Sequence, residues 1–129
     1  MPRTAAPHPT YSIADLAREF DITPRAIRFY EDHGILAPAR AGQRRIYEAR
    51  DRTRLKLTLR GKRLGLTLAQ IRELIDMYES PKDARPQARR FLALLAQHRA
   101  SLLQQREDIE VTLAEIARHV AECKRLLAR

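Results

Sequence analysis

The sequence predicts a mainly α-helical protein in which a compact head of short helices is followed by one long helix. Aromatic residues make up only 5% of the chain, Trp is absent and Gly occurs four times, a composition that disfavours a β-rich core. Residues 12–34 show the pattern of two amphipathic helices joined by a tight turn, whereas residues 87–129 contain neither Gly nor Pro. These patterns predict a helical head and a continuous helix after it.

The first pair of helices is marked by start and stop signals. Ser12 and Asp15 form a variant of the capping box. Thr23 followed by Pro24 predicts a second start, because a Thr hydroxyl caps free amides and Pro is tolerated at the first helical position. Gly34 is expected to end the second helix.

The second helix begins with Arg25 and Arg28 after a short turn. A helix-turn-helix that places its second helix in a DNA groove has this arrangement. An ordinary helical hairpin within a core shares the pattern, and residues 12–34 alone do not distinguish the two interpretations.

A basic wing is predicted after this pair. Residues 35–38 leave the helix in extended form, residues 39–43 include the glycine of a turn, and residues 44–47 return as a short strand. Cations on such a wing bind phosphates beside a groove without reading sequence, although solvated loop arginines are the alternative. The arginines of the wing are Arg40, Arg44 and Arg45.

Positive charge is concentrated in one window of the chain. The net charge is +9, and residues 40–63 contain ten Lys or Arg but two acids. A surface that only keeps a protein soluble would spread this charge. The concentration favours a polyanion, double-stranded DNA, as the partner.

Two more helices complete the head, which is predicted to span residues 11–80. The third helix covers residues 49–65, where Gly61 costs about 1 kcal/mol relative to Ala. Its inward-facing residues are Leu55, Thr58 and Leu59. Thr67 caps the fourth helix. The apolar face of that helix consists of Leu68, Ile71, Leu74, Ile75 and Tyr78.

The segments on either side of the head contain proline. Residues 1–10 hold three prolines and no apolar run, so we expect a disordered tail rather than a signal peptide or a membrane span. Residues 81–86 hold two prolines and are expected to be an elbow linker. A single cysteine, Cys123, fits a reducing compartment, and we expect a cytoplasmic protein without a membrane role.

Residues 87–129 are predicted to form a coiled-coil dimerisation helix, about 60 Å long. Apolar residues repeat every seven positions on one seam, while Arg99 and Arg106 interrupt the other. A lone helix would leave these seams exposed, so a homodimer is expected, and the spacing allows parallel or antiparallel pairing. The seam residues are Leu95, Leu102, Ile109, Leu113, Ile116, Val120 and Cys123.

No cofactor, metal or catalytic residue is expected. His119 and Cys123 lie four residues apart on one helix, a spacing that suits a soft metal, but two ligands rarely suffice. Cys123 also fits the seam as a small hydrophobic residue. The sequence contains no Gly-rich phosphate loop and no nucleophile motif, which argues against an enzyme.

Taken together, these residues resemble the MerR family of bacterial transcription regulators. The most extended motif is TPRAIRFYE at residues 23–31. Further matching motifs lie at residues 11–17, 34–40, 45–51 and 64–71. Their order and spacing hold over about residues 11–78, and the long helix follows where that family has one.

The resemblance implies a winged helix-turn-helix dimer joined by an antiparallel coiled coil. Members of the family bind a near-palindromic operator within an over-long promoter spacer. Effector binding makes the dimer bend and untwist this DNA so that RNA polymerase can use both promoter elements. The deformability of the DNA then helps to select the site.

The resemblance also implies which residues contact DNA. Arg25 would face base edges, while Arg28 and Tyr30 would contact the backbone. Phe29 stands where an aromatic residue is usual, but it has no hydroxyl to donate. The full set is Ser12, Thr23, Arg25, Arg28, Phe29 and Tyr30, with Arg40, Arg44, Arg45 and Tyr47 as anchors of the wing.

Residues 42–47 and 60–65 further resemble the LiuR-like regulators of branched-chain amino acid and acyl-CoA breakdown genes. This similarity implies a small-molecule effector, for which an acyl-CoA is a candidate. The alternative class of protein is a basic coiled-coil dimer that coats nucleic acid without reading its sequence. The ordered turn, the arginines of the second helix and the concentrated wing charge favour the regulator.

Overall fold

The computed structural model describes residues 9–79 and 84–129. The elements in chain order are β1 (Thr10–Tyr11), α1 (Ile13–Phe20), α2 (Pro24–Asp32), β2 (Ala39–Ala41), β3 (Arg44–Glu48), α3 (Ala49–Arg63), α4 (Leu68–Tyr78) and α5 (Arg85–Leu127). The predicted mainly α-helical fold is confirmed. The chain divides into two compact units between Arg90 and Phe91.

The predicted helix-turn-helix is present, and its caps form as expected. At the start of α1, the Ser12 hydroxyl accepts from the Asp15 amide at 3.0 Å, and the Asp15 carboxylate accepts from the Ser12 amide at 2.9 Å. Thr23 Oγ1 accepts from the Ala26 amide at 3.1 Å, and Pro24 opens α2. These caps satisfy amides at both N-termini and fix where each helix begins.

The end of each of these helices uses left-handed backbone. Asp21 has a φ of +53°, and its amide donates to the Ala17 carbonyl. Short polar residues tolerate this conformation better than most others. Gly34 follows α2 with a φ of +75°, which is favourable for a residue without Cβ. The prediction that Gly34 ends the second helix is confirmed.

The wing belongs to a three-stranded antiparallel sheet in the order β1-β3-β2. Arg40 of β2 pairs with Arg45 of β3, so the first strand of the wing lies in the segment that was predicted to be its turn. Thr10 of β1 pairs with Glu48 on the other edge of β3. The prediction of a disordered tail over residues 1–10 is therefore wrong at Thr10, because a two-residue strand shows no periodicity; residues 1–8 lie outside the described part.

The core of the head forms where the apolar faces of the helices meet. Leu16 of α1, Ile27 of α2 and Leu55 of α3 are completely buried. The buried residues of α4 are Ile71, Leu74 and Ile75, as its amphipathic pattern predicted. Tyr78 was expected on the same face but is 61% exposed, because it is the last residue of the helix. Leu68 is half-buried at the start of α4.

The inner face of α3 carries more polar groups than the sequence suggested. Leu55 and Thr58 are buried as predicted, and Leu59 is half-buried. Arg54 is also buried, with an exposed fraction of 5%. Gly61 faces α4, since a Cβ there would lie 2.8 Å from Cγ1 of Ile71. The glycine thus allows the two helices to approach closely.

The long helix α5 begins at Arg85, two residues before the predicted start. The elbow predicted over residues 81–86 is therefore wrong at Arg85 and Pro86, which are helical because Pro is tolerated in a first turn; residues 81–83 lie outside the described part. Leu94 is the residue of α5 that is buried. No helix in the described ranges is long and apolar enough to span a membrane.

Candidate nucleic-acid interface

The packing of α2 determines which of its side chains face outward. Ile27 and Tyr30 are buried and lie three residues apart on one face of the helix. Arg25, Arg28 and Phe29 lie on the remaining surface and are exposed. Two guanidinium groups and an aromatic ring are therefore available to a ligand along one side of α2. Guanidinium groups of this kind bind phosphates or guanine edges in DNA complexes.

Phe29 is half-exposed and is supported from its own helix. Its exposed fraction is 45%, and its ring centroid lies 4.1 Å from that of His33. The ring nitrogen Nδ1 of His33 lies 2.9 Å from the Phe29 carbonyl oxygen. The two rings thus form a small platform at the C-terminal end of α2. An apolar ring in this place can pack against a nucleotide, but it offers no hydrogen bond.

Tyr30 does not stand on this exposed side. Only 8% of the residue is exposed, and burial raises the pKa of its hydroxyl. The predicted contact between Tyr30 and the DNA backbone is not supported by this placement. The physical reason is helical geometry, because Tyr30 shares the inward face with Ile27 at a spacing of three residues.

Tyr47 is completely buried, so its assignment as a DNA contact is wrong. Its hydroxyl donates to the Glu31 carboxylate of α2. Burial, followed by this hydrogen bond, raises the pKa of Tyr47. Tyr47 therefore anchors the wing from the inside of the protein rather than from the DNA side.

Glu31 also binds Arg45 and so links the wing to α2. Arg45 Nε donates to Glu31 Oε2 at 3.0 Å, and this hydrogen bond raises the pKa of Arg45. Sequence reasoning missed Glu31, although its position four residues after the buried Ile27 places it on the inward face. Arg45 is thus half-buried and bound to Glu31, whereas Arg40 and Arg44 are exposed on the wing.

The basic window of residues 40–63 separates into paired and exposed cations. Arg50 pairs with Glu79 at 2.6 Å, and Arg52 pairs with Glu19 at 2.6 Å. Within this window, six cations are exposed and form no ion pair with any residue of 9–79 or 84–129: Arg40, Arg44, Lys56, Arg60, Lys62 and Arg63. The last four lie on α3, so exposed positive charge continues beyond the wing.

Ser12 and Thr23 act in the structure as helix caps. Their hydroxyls accept from amides of α1 and α2, and Thr23 is exposed at the start of α2. The N-terminus of a helix attracts phosphate through its amides and its dipole. Both residues remain predictions as DNA contacts, together with Arg25, Arg28, Phe29, Arg40, Arg44 and the half-buried Arg45.

In the described part of the chain, no group of three or more His, Cys, Asp or Glu side chains is arranged to hold a metal ion. Cys123 is a free, exposed cysteine on α5. The metal site considered for His119 and Cys123 as an alternative would have no third ligand among these residues.

Comparison with known families gives two overlapping matches. Residues 11–78 match the family described as "MerR HTH family regulatory protein", and residues 52–119 match "MerR, DNA binding". The first match includes the helix-turn-helix, the wing and α4, which together form the head. The second continues from α3 into α5.

Individual relatives agree with this match. The HTH-type transcriptional regulator CueR of Salmonella typhimurium is 26% identical over 110 residues, which cover 81% of this chain and 79% of CueR. A second relative is the transcription regulator PbrR691 from Ralstonia metallidurans, whose crystal structure was solved in complex with lead(II). Its sequence is 29% identical and its TM-score is 0.65; the match covers 82% of this chain and 84% of that chain.

A third comparison shows the fold alone. HiNmlR, described as a MerR family regulator lacking the sensor domain and bound to promoter DNA, is 22% identical with a TM-score of 0.52. The match covers 73% of this chain and 79% of that chain. The winged helix-turn-helix followed by a long helix is thus found in a protein that was solved on DNA.

Proposed function

Because the chain belongs to the MerR family of helix-turn-helix regulatory proteins, we propose that it binds a near-palindromic operator within a promoter spacer and distorts that DNA in response to an effector. At the coarser level it is a DNA-binding transcription regulator, and its relatives are regulators rather than enzymes. The operator, the effector and the distortion are the proposed parts.

One observation carries the proposal for the DNA surface. The burial of Ile27 and Tyr30 turns Arg25 and Arg28 outward on α2, while Glu31 ties the wing to the same helix. A helix that reads bases and a wing that binds phosphates must keep a fixed spacing on the duplex. The Glu31 carboxylate, which joins α2 to the wing, supports the proposal that this surface binds DNA.

The exposed seam of α5 supports a homodimer, and we take the antiparallel direction of its pairing from the family resemblance. Leu102, Ile109 and Leu113 are each 59% exposed, and Ile116 is 52% exposed. A contiguous apolar stripe of this kind is normally covered by a partner. A second copy of the chain offers the same heptad spacing, and the resulting symmetry would match a near-palindromic operator.

We further propose a cytoplasmic regulator of branched-chain amino acid or acyl-CoA breakdown genes that acts on RNA polymerase at the promoter. The effector would be an acyl-CoA, whose phosphates suit a basic protein. A thermal-shift series with acyl-CoAs, free CoA and divalent metal ions tests this part. Stabilisation by the acyl-CoA alone is expected, and stabilisation by a metal ion alone would contradict it.

The second candidate function is sequence-independent coating of nucleic acid, which the exposed cations of α3 would favour. Footprinting on the promoter of the protein's own gene separates the two. A protected window confined to the promoter spacer supports the regulator. Uniform protection that persists after the site is scrambled would favour coating.

Substitution of Arg25 tests the reading surface directly. We expect Arg25→Ala to weaken operator binding by about 1–3 kcal/mol and to change binding to random DNA much less, because a base contact is lost. The matched control is Arg40→Ala on the wing, which should weaken both by similar factors. Equal losses for Arg25→Ala on both duplexes would mark it as a phosphate contact.

A further inference from the structure

Two arginines from other helices hold the end of α2. Arg54 of α3 donates through Nε to the Ile35 carbonyl. Arg72 of α4 donates through Nη1 to the His33 carbonyl at 3.4 Å. These two carbonyls flank Gly34, so the C-terminal end of α2 is fixed by side chains that lie outside the helix-turn-helix.

Gly34 gives Arg72 the space for this contact. A Cβ at Gly34 would lie 2.9 Å from Arg72 Nη1 and 3.0 Å from Arg72 Cζ. The guanidinium therefore lies directly against the glycine backbone. Gly34 thus serves both the left-handed turn and the approach of Arg72.

Asp76 and Glu79, at the end of α4, bind these arginines. Asp76 Oδ1 lies 3.4 Å from Arg54 Nη2, and Asp76 Oδ2 lies 3.9 Å from Arg72 Nε. Glu79 Oε1 lies 2.9 Å from Arg54 Nη1. Asp76 is therefore the acid that contacts both arginines, while Glu79 adds a second partner for the buried one.

We propose that Asp76 is a positioning residue for DNA recognition, which acts by joining Arg54 and Arg72 and so fixing α2 against α3 and α4. The inference rests on the proposed function, because it requires α2 to read bases. Base contacts need a fixed helix position, whereas attraction to phosphates acts over longer distances. A loosened α2 would therefore lose sequence preference before it loses affinity for DNA in general.

The substitution Asp76→Asn tests this role, because the change in charge and the loosening of α2 have different expected effects on DNA binding. Loss of an acid makes the protein more positive, which by itself strengthens binding to any duplex. The Asp76 side chain is 57% exposed, so the variant is expected to fold. The probes are a duplex that the wild-type protein selects from a random-sequence pool and a scrambled version of it. The affinity ratio is the affinity for the selected duplex divided by the affinity for the scrambled duplex. We expect this ratio to fall about tenfold in Asp76→Asn, a loss similar to that of one base contact.

Glu73→Gln is the matched control. Glu73 lies on the same helix and pairs with Arg90 at 2.9 Å, and its substitution changes the charge by the same amount. We expect its affinity ratio to equal that of the wild type. Arg54→Lys is a second test, because it keeps the charge but one ammonium group cannot replace a planar fork with several donors. Its affinity ratio should also fall.

Two results would overturn the inference. One is an Asp76→Asn ratio equal to that of Glu73→Gln. The other is an equal loss on both duplexes with a lower unfolding midpoint in urea, which would show a general role in stability. If the wild-type protein enriches no sequence from the pool, the proposed function itself fails, and this is seen before any variant is made.

Discussion

At Gly61, the choice of amino acid is explained by the packing of a neighbouring helix and not by the backbone conformation of the residue itself. In the sequence it is only a residue that weakens a helix by about 1 kcal/mol relative to Ala. In the structure, an added Cβ would lie 2.8 Å from Ile71 Cγ1 and 3.1 Å from Ile71 Cδ1. Close packing of α3 on α4 thus outweighs helix propensity at this position.

We expect Gly61→Ala to lower the free energy of unfolding by about 1–3 kcal/mol, because overpacking exceeds the gain in propensity. Urea denaturation followed by circular dichroism measures this change. Lys62→Ala, at the exposed neighbouring position, is the control and should change stability little. A more stable Gly61→Ala protein would show that Ile71 can move aside at low cost.

The roles of single arginines were the least predictable part of the sequence. Helix starts at Ser12 and Thr23 were predictable because a cap and its partner lie within three residues. Arg45 and Arg54 bind acids that are distant in sequence, Glu31 and Asp76, and no local pattern specifies such pairs. Their placement depends on the packing of whole elements. From the sequence alone, all three wing arginines were therefore predicted to be exposed and available to phosphates.

At the scale of elements, the carboxyl-terminal end of α4 is held by a set of ion pairs. Glu79 caps α4 and binds Arg50 at 2.6 Å and Arg54 at 2.9 Å. Hydrogen bonding to Arg50 first, and then to Arg54, lowers the pKa of Glu79. The amphipathic pattern of α4 was visible in the sequence, but this anchoring of its last turn was not.

The lowered pKa of Glu79 predicts a dependence of stability on acid. The folded protein binds this proton more weakly than the unfolded chain does, so the stabilisation is present above the ordinary pKa of Glu and is lost as pH falls through the lowered value. We expect the urea concentration at half-unfolding of the wild type to decrease as the pH is lowered below 4.5, the ordinary pKa of Glu. In Glu79→Gln this decrease should be less steep. Equal slopes for both proteins would contradict this.

The same scale explains the sheet and the wing. A two-stranded wing was predictable from a glycine turn between short extended segments, and β3 lies where the second strand was expected. The first strand was misplaced: β2 covers Ala39–Ala41, which were assigned to the turn, and not residues 35–38, because pairing with β3 continues up to a two-residue turn at Gly42 and Gln43. The link through Glu31 was not predictable, because it joins residues from α2 and β3. Its consequence is that Glu31 connects β3 of the wing to α2 at two points, Arg45 and Tyr47.

At the scale of the whole molecule, α5 decides the oligomeric state that we propose. Leu102 lies on the heptad seam and is 59% exposed in the single chain. We expect Leu102→Arg to convert a dimer to a monomer, because a buried charge without a partner is costly at an apolar interface. Light scattering over a range of protein concentrations measures the mass.

Gln104→Arg is the control for this substitution. Gln104 lies two residues further along α5, away from the seam, and bonds to Asp108 at 3.0 Å. It introduces the same charge and should leave the mass unchanged. A dimer that persists in Leu102→Arg would contradict the predicted register of the coiled coil.

The two-residue strand β1 has a consequence for handling the protein. Thr10 and Tyr11 cover one edge of β3, and Arg40 and its neighbours in β2 cover the other. A shortened chain that starts at Ser12 would lack β1, and the edge of β3 that β1 covers would then have unpaired amide and carbonyl groups. Open edges recruit strands from other molecules, so such a chain is expected to aggregate during purification.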